Sequence, residues 1–521
     1  MSRLIRDIFE DSVNRHSSQN AVKWLIRKDI HEITYSELGI DVKKIRYSFE
    51  DLGFYRTHMA LIGKSSLEWI ESYLAMITGT QVAIPLDYNL PDMDLIELLQ
   101  RADVEALFVD SDRNTLIDAV MSKCPKIKHI FLLQKDHASI SAKLDIRVQS
   151  IDELISSAPE TAQDSVSKAD DIVTIIYTSG TTGTSKGVML TQENLSSNIL
   201  SVKIEGIDNS VLLSVLPIHH AYCLVCDWLK GLSLGASITI NDSLFHMVRN
   251  MGIFKPEIML MVPLMIESVY KRLQMYSDSL SKKKIAEEVF GGKLKYIFTG
   301  GAHLDTFYVD AFEEYGIKVL EGYGMSECSP VISMNGISEN KKGSIGRPLE
   351  NAEIAFQNGE ILVRGTSVMK GYYKMPEETA ETLRDGWLHT GDKGYLDEDG
   401  YLYINGRVKN LIILSNGENI SPEEIENKLA LEPCIGEIII TGENNGLKAY
   451  IYPDQEFVER NALDGEQTRD EIQRTIDEYN QLQPSYKQII SVYVRRTPFI
   501  KSSTQKIRRE KVSIEQELAV L

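Results

Sequence analysis

Short β-branched runs alternate with longer helical patterns over most of the chain. The runs at residues 59–62, 81–85, 106–109, 130–133, 172–177 and 296–299 have strand length and composition. Strands that alternate with helices in this way predict an α/β architecture with largely parallel sheets. From about Glu353 the pattern changes. The segments EIAFQNGEILVRG and GYLDEDGYLYINGR read as successive hairpins, turning at Asn358-Gly359 and Asp399-Gly400. After Arg407 the spacing predicts a helix with Ser421 and Glu424 as a capping box and Pro422 at its first position. A small α+β unit follows, so a domain boundary is expected between Arg407 and Asn410.

Composition narrows the class. A chain of 521 residues exceeds one ordinary core, so two or more domains are expected. Hydrophobic residues at 43% and charged residues at 25% are those of a globular protein. The net charge of −19 repels nucleic acid on average, so no nucleic-acid partner is expected. The five cysteines are Cys124, Cys223, Cys226, Cys328 and Cys434. An odd count in a long chain fits reduced thiols in the cytoplasm. The Cys223/Cys226 pair has apolar residues between and reads as a face of a buried helix. The N-terminus is charged and amphipathic with no secretory h-region, and no stretch of 18 uncharged apolar residues is present. The last residues, ELAVL, match no address signal.

The strongest local signal is the segment YTSGTTGTSKGV at residues 177–188, directly after the 172–177 strand. Thr178, Ser179, Thr181, Thr182, Thr184 and Ser185 carry hydroxyls, and Gly180 and Gly183 let the backbone turn sharply. Hydroxyls, backbone N–H groups and the single cation Lys186 together suit a polyphosphate. The order differs from a Walker A loop, because Ser185 precedes the lysine and Gly187 follows it. A surface linker could share this composition. The flanking strand, the lone lysine and the helical pattern from Gln192 argue against one.

This loop resembles the signature of the adenylate-forming superfamily, which includes acyl-CoA synthetases, adenylation domains of peptide synthetases and beetle luciferases. Ser185 stands where the family usually has Pro. The resemblance extends over nearly the whole chain. It implies a large N-terminal domain of mixed and parallel sheets flanked by helices plus a β-rich subdomain (residues 1–406). A hinge (407–410) and a small, mobile α+β C-terminal domain (411–521) would follow. Thr34–Leu38 and residues 74–87 look like the first two family motifs, which are packing elements.

The remaining matches imply roles. In LPIHHAY, His220 and Tyr222 resemble the wall of the acyl pocket. YIFTGGAHL matches the segment lining the adenine and acyl sites, which nominates Gly300, Gly301 and Ala302. In EGYGMSE, Glu321, Tyr323 and Ser326 match the adenine-side loop, Tyr323 being the aromatic that packs on the base, and Gly324 matches the substrate pocket. Glu327 matches the carboxylate that holds Mg²⁺ on the triphosphate, a hard cation that takes carboxylate and phosphate oxygens. DGWLHTGD supplies Asp392 for the ribose diol, which an acceptor-only carboxylate suits. Arg407 resembles the ribose- and phosphate-contacting arginine, Lys409 the hinge, and Gly417 the pantetheine channel. In KSSTQKIRR, Lys506 matches the catalytic lysine, although Gln505 replaces the usual Gly and Ser502 the usual Thr.

The implied reaction is ATP-dependent formation of an acyl-AMP with loss of pyrophosphate, followed by transfer of the acyl group to CoA or to the phosphopantetheine of an acyl carrier protein. Amino-acid-activating relatives carry an Asp soon after LPxxH. Here no acid occurs before Asp227, and the wording of the motif is closer to long-chain fatty acyl-CoA synthetases. A fatty acid is therefore the favoured substrate, an aryl acid the next. A stand-alone enzyme loading a carrier protein, and a relative that only binds nucleotide, remain open at this stage.

Overall fold

A computed structural model describes residues 3–133, 147–162, 164–178, 185–274, 276, 281–413, 419–443, 446–501, 507 and 509. The chain divides into two compact units. The first comprises Met1–Gly180, Thr184–Glu353 and Val363–Leu388; the second comprises Thr181–Gly183, Ile354–Leu362 and His389–Leu521.

The first unit is α/β, as the alternation predicts. One sheet of eight strands has the order Gly371–Tyr372, Lys186–Thr191, Ile172–Thr178, Val82–Pro85, His58–Ile62, Ala106–Val109, His129–Leu132 and Arg147–Ser150. Its members from Ile172–Thr178 onward are parallel, whereas Lys186–Thr191 runs antiparallel to both neighbours. All four side chains of Ala106–Val109 are buried. A parallel strand covered on both faces has no solvent side, which is why it reads as an unbroken apolar run. Leu107 and Val109 pack with Leu95, Leu99, Leu116 and Val120 from the helices that cover the sheet.

The second sheet of this unit has nine strands. Asn20–Ile26, Ser237–Ile240, Val211–Ser214, Ile258–Met261, Tyr296–Thr299 and Lys318–Gly324 are parallel. Antiparallel strands close both edges. Because the six run the same way, the segments that follow Ser214, Thr299 and Gly324 all leave from one edge. In open α/β sheets that edge is where ligands bind.

Helix starts are set locally. Thr34 and Glu37 form a capping box for Tyr35–Asp51, so the first family motif begins a helix. Ser66 caps Leu67–Thr78 and Thr191 caps Gln192–Ser201. The CxxC segment lies in Tyr222–Lys230, which is wound as a π-helix. Cys223 is buried there, and all five cysteines are free.

The second unit contains the small α+β fold. Ile435–Glu443, Gly446–Pro453 and Ile489–Val494 form a three-stranded sheet, with helices Pro422–Leu429 and Gly465–Gln481. Ile425, Leu429, Ile438, Ile440, Leu447, Ile472 and Ile476 share its core. Asn358 and Gly359 both have positive φ, 53° and 79°, as the expected two-residue turn requires. The capping box expected at Ser421 does not form. Ser421 Oγ instead donates to Glu423 Oε2 at 2.9 Å, and Glu424 receives Lys487 Nζ at 3.0 Å. A nearer carboxylate takes the hydroxyl, and a lysine draws the N3 carboxylate away. Pro422 does begin the helix.

Leu447 is fully buried. Leu447→Ala should destabilise the second unit by about 2–5 kcal/mol. Hydrogen exchange should show faster opening in Gly446–Pro453 and Ile489–Val494, with unchanged rates in Ala106–Val109.

Candidate active site

The two strands that flank the expected phosphate loop, Ile172–Thr178 and Lys186–Thr191, pair antiparallel in the first unit. Thr178 and Lys186 are register partners across Ile172–Thr178 and Lys186–Thr191, so both ends of the loop are held by strand pairing. Ser179, Gly180, Thr181, Thr182 and Gly183 lie outside the described residues. Arg101 Nη2 donates to Ser185 O at 2.8 Å, tying the departing end of the loop to a neighbouring helix. Lys186 is half-buried, and its ammonium sits 4.8 Å from the ring centroid of Tyr372.

The other sheet supplies the facing residues. Glu321, Tyr323 and Gly324 lie at the end of Lys318–Gly324, followed by a 3₁₀ turn at Ser326–Cys328. Tyr323, Ser326 and Glu327 are buried. Gly324 has to be glycine, since a Cβ there would fall 2.0 Å from Pro330 O. Asn198 holds the turn by donating to Cys328 O and Val331 O at 3.1 and 2.8 Å. Tyr372 Oη donates to Glu327 Oε1 at 2.8 Å, so one tyrosine touches both Lys186 and Glu327. Burial pushes the Glu321 carboxyl up to about 7, against the pull of a hydrogen bond from the Gly343 backbone.

Gly300, Gly301 and Ala302 follow Tyr296–Thr299 at the same sheet edge, Gly301 and Ala302 being exposed. A Cβ on Gly300 would lie 2.8 Å from Gly322 O, which explains the close approach of the two strands. His220 is half-buried and its backbone N–H bonds Pro217 O at 3.0 Å. Tyr222 Oη donates to Phe298 O at 3.1 Å, bracing the π-helix against the strand that leads to Gly300. His219 lies 3.8 Å from Asp87. Burial lowers its pKa and Asp87 opposes that shift.

In the second unit, Asp392 and Arg407 are register partners on adjacent antiparallel strands. Arg407 Nε is 2.8 Å from Asp392 Oδ1; the carboxylate is buried and the guanidinium half-exposed. Lys409 is exposed in the 3₁₀ turn Val408–Asn410. Gly417 and Lys506 lie outside the described residues. The flanks of the Lys506 segment are described. Lys501 and Ile507 form a bridge, Lys501 Nζ is 2.6 Å from Glu437 Oε1, and Arg509 pairs with Glu426.

Tyr372, Arg101 and Asn198 were not singled out from the sequence. Tyr372 sits in KGYYK, five residues that carry no motif chemistry of their own beyond a Gly-Tyr step. Its pairing with Val188 is long-range, so only the folded sheet reveals it.

The chain matches two family models, the AMP-binding enzyme over residues 9–373 and the AMP-binding enzyme C-terminal domain over residues 409–517. It is 29% identical to a long-chain-fatty-acid–CoA ligase of Bacillus subtilis, over 85% of this chain and 83% of that one. It is 30% identical to an oxalate–CoA ligase of Arabidopsis thaliana, over 74% and 75%. Among solved structures it resembles the anthranilate CoA ligase AuaEII in complex with anthranoyl-AMP (TM-score 0.83, 21% identity, 98% and 96% covered). It also resembles the O-succinylbenzoate coenzyme A synthetase of Bacillus subtilis with ATP and magnesium ion (TM-score 0.76, 21% identity, 97% and 98% covered). At these identities the solved structures establish the fold.

Asp227, on the π-helix beside this site, offers a measurable titration. It is fully buried and accepts from Ser214 Oγ at 2.9 Å. Burial pushes its carboxyl from 3.8 up to about 7, while the bonds from Ser214 and Cys223 act the other way. The folded state therefore holds this proton more tightly than the unfolded chain, so the contribution is complete below about 4 and is lost as pH rises to about 7. Relative to Asp227→Asn, the native protein should lose roughly 1.4 kcal/mol per pH unit across that window and then level off. Denaturation midpoints of both proteins at a series of pH values measure this. The chain belongs to the AMP-binding enzyme family, as an adenylate-forming acid–thiol ligase.

Proposed function

We propose that this ligase activates a fatty acid as its acyl-AMP and transfers the acyl group to CoA in the cytoplasm. The observation that carries the reading is the grouping of Lys186 and Glu327 about Tyr372, with Glu327 one turn beyond the strand that bears Tyr323.

The described donors suit a magnesium–triphosphate. Among the described residues no group of three His, Cys, Asp or Glu side chains is placed to hold a metal alone. A Mg²⁺ that depends on one carboxylate and substrate phosphates needs no such group. Glu327 presents that carboxylate, with Oε1 bonded to Tyr372 and, among the described residues, no hydrogen bond on Oε2. Bound there, the ion would offset charge on the departing pyrophosphate. Lys186 and the 178–185 loop would carry the remaining phosphate charge. Tyr323 would support adenine beside Gly301 and Ala302, and Asp392 with Arg407 would take the ribose. Lys506 would meet the carboxylate and α-phosphate oxygens, where charge develops during attack. Residues 407–410 would act as the hinge on which residues 411–521 exchange Lys506 for the Gly417 loop in the thioester step.

Substrate choice follows from the acyl wall. Asp227, the first acid after LPIHHAY, is buried and engaged with Ser214, which leaves it unsuited to hold an α-ammonium group. The similarity to long-chain-fatty-acid–CoA ligases supports a fatty acid.

Two measurements test this. With Mg-ATP and a panel of fatty, aryl and amino acids, with and without CoA, mass analysis should find acyl-CoA from fatty acids. Acyl-AMP that persists with CoA present would replace CoA by a carrier-protein thiol. No adenylate from any acid would overturn the reading. Lys506→Ala should slow acid-dependent pyrophosphate exchange by ~10²–10³ while the folded protein still converts supplied acyl-AMP and CoA to thioester.

A further inference from the structure

Lys186 and Glu327 carry opposite charges and both touch one ring. Among the described residues they form no direct ion pair. Tyr372 takes the ammonium on its ring face, 4.8 Å from the centroid, and gives its hydroxyl to Glu327 Oε1 at 2.8 Å. A cation on a ring face is attracted without being neutralised. A carboxylate that accepts one hydroxyl keeps its charge and has a fixed rotamer.

The ring is held from both sides. Gly371 and Tyr372 pair with Met189 and Val188 of the strand that begins at Lys186, and Tyr373 N–H donates to Gly187 O at 2.8 Å. Tyr372 N–H donates to Thr379 Oγ1 at 2.8 Å. On the other side Met369 N–H donates to Glu327 O at 2.8 Å, and Ser329 Oγ donates to Ser367 O at 2.8 Å. The segment 367–373 therefore fastens the hairpin of one sheet to the acidic turn of the other.

We propose that Tyr372 is a positioning residue that separates Lys186 from Glu327 and aims the carboxylate, so that neither charge quenches the other before the magnesium–triphosphate arrives. This rests on the reading of Glu327 as the metal-side carboxylate.

The test is a double-mutant cycle on the full chain with Tyr372→Phe, Glu327→Gln and the pair. Binding of α,β-methylene-ATP is titrated by calorimetry across a range of Mg²⁺, and pyrophosphate exchange is followed over the same range. Tyr372→Phe keeps the ring and loses the hydroxyl, so half-saturating Mg²⁺ should rise about tenfold with the KM for acid unchanged. In the Glu327→Gln background the same change should have little effect. Tyr372→Leu, which removes the spacer too, should also weaken nucleotide binding at saturating Mg²⁺. If Glu327→Gln leaves the Mg²⁺ dependence unchanged, the assignment of Glu327 fails. If Glu327→Gln shifts it and Tyr372→Phe does not, the role of Tyr372 fails. Equal losses from Tyr372→Phe in both backgrounds would mean general loosening, and would also overturn it.

Discussion

Parallel pairing is the constraint on which the first unit depends. Two parallel neighbours cannot be joined by a tight turn; the chain must cross back over the sheet before it enters the next strand. Val211–Ser214, Tyr296–Thr299 and Lys318–Gly324 are bound by this rule, so the chain leaves each of them at one edge. Segments distant in sequence, around His220, Gly300 and Glu327, become neighbours through direction alone. Close strand approach is then bought with missing side chains: Gly300 and Gly324 each sit where a Cβ would strike a backbone oxygen.

The charged residues are handled differently in the two units. In the first, Lys186 and Glu327 are linked through an aromatic ring. In the second, Asp392 and Arg407 meet directly across a strand pair. There a half-exposed guanidinium sits directly against a buried carboxylate across the strand pair. The indirect arrangement is accompanied by a buried polar frame, in which Asn194 Nδ2 donates to Thr366 O and Val368 O and Asn198 Nδ2 donates to Cys328 O.

Much of this was readable from the residues. Ala106–Val109 was legible to the residue because a doubly covered parallel strand has to be apolar throughout, and Tyr296–Thr299 because a β-branched and aromatic run stops at a Gly-Gly step. The Asn358-Gly359 turn was legible because two successive positive φ values demand such residues. The loop before Lys186 stood out by its hydroxyl and glycine density, and its residues 179–184 lie outside the described residues. The placing of Tyr372 was not, since a tyrosine after glycine states nothing about which distant carboxylate its hydroxyl will reach. The capping box at Ser421 failed for a similar reason: Glu423 and Lys487 compete for the same groups, and that competition is settled by tertiary geometry. Lys506 and Gly417 fall outside the described residues, so their roles rest on the family pattern and on the proposed mechanism.

The π-helix at Tyr222–Lys230 carries a consequence of its own. A π-helix closes each hydrogen bond one residue further along than an α-helix does, and such segments are rare and short. Here the clasp is Tyr222 on Phe298 at one end and Asp227 on Ser214 further along. Which side chains this segment presents is thus set by the number of its residues as much as by their kinds. Removing a single residue would let the backbone relax into an ordinary α-helix and rotate the side chains beyond the deletion around the helix axis. Among relatives of this chain, the face that this segment presents could therefore change in one step through a change of length, with no substitution of any residue on it.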